Sequence, residues 1–350
     1  MRLEETLERI TPVSEEWMMK AKERLDNLTK PRGSLGMLET LAARYVAITK
    51  EIPISMPEKE IFVFVGDHDV VTHGVSAYPQ EVTTLMVKTF LAGRAAINVL
   101  SRCVGATVSV IDIGMKHDLK DEKGLIRRNV GRGARNIAHG PAMERDEAEK
   151  AIEVGIEMAE RARERGARMI ATGEMGIGNT TPSAAIFSSI LGLNPEDVAG
   201  RGTGVDETGY RNKVETIGNA LKRNNEILTD PVSVLAAVGG FEIAGICGLC
   251  LGGAAAGMAV VVDGYISGAG ALLAMRLNQS VRDYLFFSHR SLEKGHKLFF
   301  EVEGLRPILD LDLRLGEGTG AAIAMQIMED AFQLFNGMAT FEEAGIEPGA

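Results

Sequence analysis

Short apolar runs alternate along this chain with longer stretches whose apolar positions recur every three or four residues. The short runs cover residues 61–65, 107–113, 168–171 and 258–262, and each predicts a buried strand. Every one meets a turn or a polar group at its C-terminal end: Gly66-Asp67, Gly114, Thr172-Gly173 and Asp263-Gly264. Residues 81–100, 146–165 and 206–225 have the spacing of amphipathic helices. Strand-then-helix alternation predicts an α/β fold, a parallel sheet with helices on both faces. Ligands of such sheets sit beyond the C-terminal ends of the strands, where the Gly-, Asp- and Glu-rich loops of this sequence fall.

The two ends read differently. Residues 1–50 are helical and charged, and residues 290–350 carry further helices without a clear strand run, so the termini are expected to pack together. The working division is a large α/β domain over 56–285 and a small helical domain from 1–50 with 286–350. Residues 243–262 are twenty uncharged positions, long enough to span a bilayer. Their middle, Gly252-Gly253-Ala254-Ala255-Ala256-Gly257, makes a poor continuous helix, and a buried helix followed by a buried strand fits better.

Composition narrows the partners. Lys plus Arg is 38 and Asp plus Glu 48, a net charge of −10, which argues against nucleic acid or an anionic membrane as the main partner. Cys103, Cys247 and Cys250 cannot build a disulfide framework. Cys247 and Cys250 form a C-x-x-C without a second pair to complete a zinc site. The acidic N-terminus lacks the apolar core of a signal peptide, and the cytoplasm is the expected compartment.

Four loops carry candidate chemistry. Residues 171–182 run from a strand end through Gly173, Gly176 and Gly178 into a helix starting near Thr180. Glycines let backbone N–H groups converge and a helix N-terminus adds partial positive charge, which together suit an anion. It is neither a Walker motif nor a dinucleotide fingerprint. Glu174 and Asn179 inside it favour a functional loop over a plain turn. In the second loop, Gly200, Arg201, Gly202, Thr203 and Gly204 precede a helix with Asp206 as its N-cap. Lys213 stands about two turns into that helix, at the edge of reach for a phosphate, and a solvated cation is the alternative for it and for Arg201.

The third loop places Glu317 between Gly316 and Gly318 at the start of an apolar helix. It reads either as a helix-start acid or as a carboxylate brought close to a ligand, whose burial would raise its pKa and suit it to take a proton near neutrality. The fourth holds Asp67, His68, Asp69 and His73, in a spacing that matches no strong metal motif, followed by Ser76, Tyr78 and Gln80, which suit a flat aromatic ligand. His289 and His296, seven apart, are expected on the surface of one helix.

Together these segments resemble the nicotinate-nucleotide–dimethylbenzimidazole phosphoribosyltransferase family almost end to end. The resemblance rests on residues 30–36 (Lys-Pro-Arg-Gly-Ser-Leu-Gly), 74–79 (Gly-Val-Ser-Ala-Tyr-Pro), 172–181, 202–206, 238–242 (Val-Gly-Gly-Phe-Glu), Asp263-Gly264, 315–320 (Leu-Gly-Glu-Gly-Thr-Gly) and 338–341 (Met-Ala-Thr-Phe). It implies a Rossmann-like sheet, a small helical domain made from both termini, a cytoplasmic homodimer, and no cofactor or metal. Glu317 corresponds to the catalytic base and Glu174 to the loop near the reacting ribose. Gly176, Gly178, Asn179, Thr180, Gly202, Thr203, Gly204 and Lys213 correspond to the nucleotide and phosphate site. Ser76, Tyr78, Gln80, Met86 and Leu315 are the implied benzimidazole pocket. Three positions depart from the family pattern: Asp69 where it has Gly, His73 where it often has Glu, and Met37 where it has Arg. They bear on the shape of the base pocket. Two rival readings stay open: a transferase using another acceptor, such as adenine or a phenol, and a non-catalytic binder of α-ribazole or benzimidazole.

Overall fold

The computed structural model describes residues 2–120 and 122–347. Its centre is a sheet of six parallel strands, β1 (Glu58–Gly66), β2 (Thr107–Gly114), β3 (Leu125–Arg127), β4 (Ala167–Met175), β5 (Ala259–Val262) and β6 (Leu285–Phe287). Their order across the sheet is β3-β2-β1-β4-β5-β6. Chain order therefore reverses between β1 and β4, which opens a crevice beyond the ends of those two strands. The apolar runs read from the sequence lie within β1, β2, β4 and β5, save that β5 starts one residue later than its run, at Ala259, while the two edge strands have only three residues each.

The helical stretch at 81–100 is two helices, Glu81–Leu91 and Ala96–Cys103. Gly93 between them takes a φ of 71°, which a continuous helix does not allow. The other two amphipathic stretches are the single helices Arg145–Glu164 and Glu207–Arg223. Residues 243–262 are largely the buried helix Phe241–Ala255 followed by β5. That helix packs backbone to backbone on Arg145–Glu164: a Cβ on Gly155 would lie 2.6 Å from the Leu249 amide nitrogen. Its small residues thus serve close helix contact in the protein core, where packing leaves no spare volume. Among the described residues no helix is long and apolar enough to cross a membrane. Cys247 and Cys250 lie inside this helix, and burial pushes both thiols up.

The two ends of the chain meet. Helices Glu15–Asp26, Met37–Thr49 and Thr319–Gly337 pack together, with Tyr45 and Phe332 ring centroids 4.3 Å apart. Thr29 N donates to Ala339 O at 3.0 Å, and Phe341 N to Asn27 O at 3.0 Å. Helix Thr319–Gly337 also lies against β4 and β5, which brings the loop before it to the sheet's C-terminal edge.

Candidate active site

Two acidic loops converge at that edge. Glu174 is the penultimate residue of β4 and is buried. Asn179 Nδ2 donates to its Oε2 in a short hydrogen bond, while its Oε1 lies so close to Gly316 that a Cβ there would overlap it. Glu317 follows with a φ of 64°, an unusual conformation for a non-glycine residue and one that functional sites retain when their surroundings enforce it. Its backbone lies on Gly173, where a Cβ would be 2.5 Å from the Glu317 carbonyl oxygen. Ile97 N donates to Glu317 Oε2 at 3.3 Å. Glu317 is 5% exposed.

Burial sets the protonation of both groups. Burial pushes Glu174 up to about 8, against the Asn179 hydrogen bond and with help from the charges of Asp263, Glu242 and Glu317. Burial also raises Glu317, opposed by the Ile97 amide and reinforced by Asp263.

Asp263, just after β5, holds the Glu317 loop in place. Its Oδ2 accepts from Gly318 N at 3.1 Å and its Oδ1 from Ala321 N at 3.0 Å. A carboxylate on these amides caps the start of helix Thr319–Gly337. His289 lies beneath, its Nδ1 4.0 Å from Asp263 Oδ1 and 3.1 Å from Ser288 Oγ. Gly320 packs on the His289 ring with no room for a Cβ. Gly320→Ala is therefore expected to displace this helix start and lower kcat/KM by about 10²-fold, the usual consequence of moving a reacting group by an ångström. Steady-state kinetics beside a thermal melt would check this, with the loss of rate exceeding any loss of folded protein.

The expectation of two surface histidines on one helix is corrected. Both are buried, and only His296 is helical, within Lys294–Glu303. Aromatic rings from Tyr265, Phe299 and Phe300 surround His296, its Nδ1 accepts from Ser291 N at 2.9 Å, and burial pushes it down to about 3. Spacing alone could not show that their faces turn inward.

The second loop meets the first through Lys213. This lysine reaches the loops despite its place two turns into the helix: its Nζ donates to Thr180 Oγ1 at 2.7 Å and to Gly200 O at 3.2 Å. It is completely buried, so it is no solvated cation, and burial brings it down to about 8. Arg201 is exposed and pairs with Glu207 at 2.8 Å. Asp206 caps its helix as expected, accepting from Gly209 N at 2.8 Å. In the 176–181 turn, Ile177 N donates to Thr83 Oγ1, Asn179 N to Gly176 O and Thr181 N to Gly178 O.

Thr203 joins this loop to the fourth one. Its Oγ1 lies 3.2 Å from Ser76 Oγ and accepts from Ala77 N at 2.8 Å. Gln80 Nε2 donates to His68 O at 3.2 Å, Met86 is half-buried, and Tyr78 and Leu315 are exposed. The two acids of residues 67–73 share Lys116, and the two histidines turn to other groups. Asp67 Oδ2 accepts from Lys116 N, Asp69 pairs with Lys116 Nζ, and the His73 ring faces His139. His68 Nε2 lies 2.7 Å from Glu242 Oε1 in full burial. Burial pulls His68 down, but the Glu242 carboxylate outweighs it and holds the ring above its usual value.

A parallel sheet with this strand order, glycine loops at its reversal point and buried carboxylates beside them define an α/β enzyme of the Rossmann type. The chain belongs to the phosphoribosyltransferase family, whose model matches residues 10–346. It is 54% identical over 347 residues to the nicotinate-nucleotide–dimethylbenzimidazole phosphoribosyltransferase of Geobacter sulfurreducens, covering 99% of each chain. It is 50% identical over 345 residues to that of Chlorobaculum tepidum, covering 99% of this chain and 98% of the relative. Among solved structures it is similar to CobT from Thermus thermophilus, with a TM-score of 0.92 at 47% identity, covering 95% of this chain and 100% of that one.

Proposed function

We propose that the protein moves the 5-phosphoribosyl group of nicotinate mononucleotide onto 5,6-dimethylbenzimidazole, releasing nicotinate and forming α-ribazole 5′-phosphate for the lower ligand of cobalamin. The observation that carries this reading is the pair of buried carboxylates, Glu317 and Glu174, packed against each other's loops beside the lysine-held glycine loops.

The chemistry matches what these groups offer. Nicotinate leaves with the electrons of the C1′–N bond, which neutralises its ring nitrogen, so it needs no acid. One benzimidazole nitrogen attacks C1′ while the other gives its proton to Glu317, the general base. Glu174, buried beside the reacting ribose and held protonated up to about 8, offers a fixed hydrogen-bonding group in a dry site rather than a charge. Lys213, with Gly176, Gly178, Asn179, Thr180, Gly202, Thr203 and Gly204, holds the nucleotide and its phosphate for in-line attack. Ser76, Tyr78, Gln80, Met86 and Leu315 receive the flat acceptor.

Attack opposite the leaving group inverts the β-linkage, so the product is α. Proton NMR of the nucleotide formed tests this: an α anomer is expected, and a β anomer would defeat in-line displacement. The enzyme works as a cytoplasmic homodimer in this reading. Tyr78, Leu292, Leu311 and Leu315 are large apolar side chains exposed on the loops that carry the site, a surface suited to cover by a second copy.

A further inference from the structure

Behind the Gly200–Gly204 loop stands a buried carboxylate that no motif marks. Glu293 immediately precedes helix Lys294–Glu303 and is 7% exposed. Its Oε1 accepts from Gly202 N at 2.9 Å, and its own amide donates to Ser291 Oγ at 3.3 Å. Gly200 lies so close to Oε2 that any Cβ there would overlap the carboxylate. Oε2 itself is buried and has no hydrogen-bond partner among the described residues.

Lys213 grips the same stretch of backbone, at Gly200 O, and reaches across to Thr180. Glu293 and Lys213, both buried, therefore hold residues 200–202 from two sides. We propose that Glu293 is a positioning residue for the phosphate loop, fixing the Gly202 amide on one side of the stretch that Lys213 grips on the other. The inference rests on the phosphate role given to Lys213 above.

Charged groups face Glu293 from the cleft side and aromatic groups from the core side. Arg201, Lys294 and Arg314 line the neighbouring cleft of about 420 Å³ with Tyr210. Arg201 is paired with Glu207, Arg314 Nη1 donates to Gly202 O at 3.3 Å, and Lys294 Nζ to Glu196 O at 2.7 Å. On the core side, Tyr265 donates to Val198 O and burial pushes it up, while His296 is neutral. Burial brings Lys213 down to about 8, and the Glu293 charge works against that fall. Above its pKa the amine loses the charge that a phosphate needs.

The test is the pH dependence of KM for nicotinate mononucleotide in the wild type, Glu293→Gln and Glu293→Asp. Gln keeps an oxygen for the Gly202 amide and removes the charge, so the rise in KM begins at lower pH. The variant-to-parent KM ratio is expected to climb from about 1 near pH 6 to about 10 above pH 8, with kcat at pH 6 within about threefold. Asp retains the charge, raises KM at every pH and keeps the break near 8. In a Lys213→Arg background, where the cation does not titrate, the Glu293→Gln ratio is expected to be flat. A flat ratio in the Lys213 enzyme, or loss of the break in Glu293→Asp, would overturn the inference. If Glu293→Gln does not fold, Glu293→Asp decides the positioning role by its KM, and a KM equal to the parent's at every pH would overturn it. A wild type that turns over no nicotinate mononucleotide would instead defeat the functional reading beneath it.

Discussion

Glu317→Gln is expected to lower turnover by about 10²–10⁴-fold, the usual worth of a positioned general base, with KM for nicotinate mononucleotide within about threefold on the same account. The substitution changes no volume and keeps an oxygen for the Ile97 amide, so the loop anchored by Asp263 should stay in place. What disappears is the site that takes the acceptor's proton. Because burial raises Glu317 above the ordinary carboxylate range, its basic form is lost as pH falls through that raised value. The acid limb of kcat/KM in the wild type should therefore sit above the ordinary glutamate value of 4.5. That limb should flatten in the variant. A variant within threefold of the parent would remove Glu317 from the mechanism.

Glu174→Gln should lower kcat/KM by about 10²-fold, the scale of one misplaced hydrogen-bonding group in a dry site, and should make the protein more stable in base. The sign follows from the shift. The folded value, about 8, lies above the ordinary value of 4.5, so folding takes up a proton at Glu174. Its favourable contribution is complete below pH 4.5 and is lost as pH rises through about 8. Gln carries no charge at any pH, so the variant should gain on the order of 4 kcal/mol over the wild type above pH 8 and little in acid. Chemical denaturation at pH 5 and pH 9 would show this. Equal stabilities at both would mean that Glu174 is not held protonated by its surroundings. A gain in stability beside a loss of rate is the pattern expected of a strained functional carboxylate.

The strands that build the crevice were legible because each holds a short, mainly apolar run that meets a turn or a polar group at its C-terminal end, as strands buried on both faces tend to. β3 and β6 were not legible: three residues carry no period. The stretch 81–100 kept helical spacing across a break at Gly93, since periodicity does not register a single left-handed residue. Within the site, the loops around Glu174, Gly202 and Glu317 stood out because glycines flanked polar residues. Lys213 stood at the edge of reach on helix geometry, and only the depth of its burial shows how far its chain extends into the loops. Asp263, His289 and Glu293 act through contacts between residues distant in sequence, and one acid or one imidazole in a chain with 48 acids and 6 histidines carries no mark of that. Glu242 lay in a recognisable segment, but its pairing with His68 spans 174 positions.

The central claim is that this enzyme transfers the ribosyl phosphate to a benzimidazole, and nicotinate release from nicotinate mononucleotide measures it most directly. With 5,6-dimethylbenzimidazole present, release should be rapid and stoichiometric with α-ribazole 5′-phosphate; without it, release should be close to background. Release that appears only with a purine or a phenol would keep the fold and contradict the acceptor. No release with any of these acceptors, beside measurable binding of α-ribazole, would contradict the account and point to a binding protein.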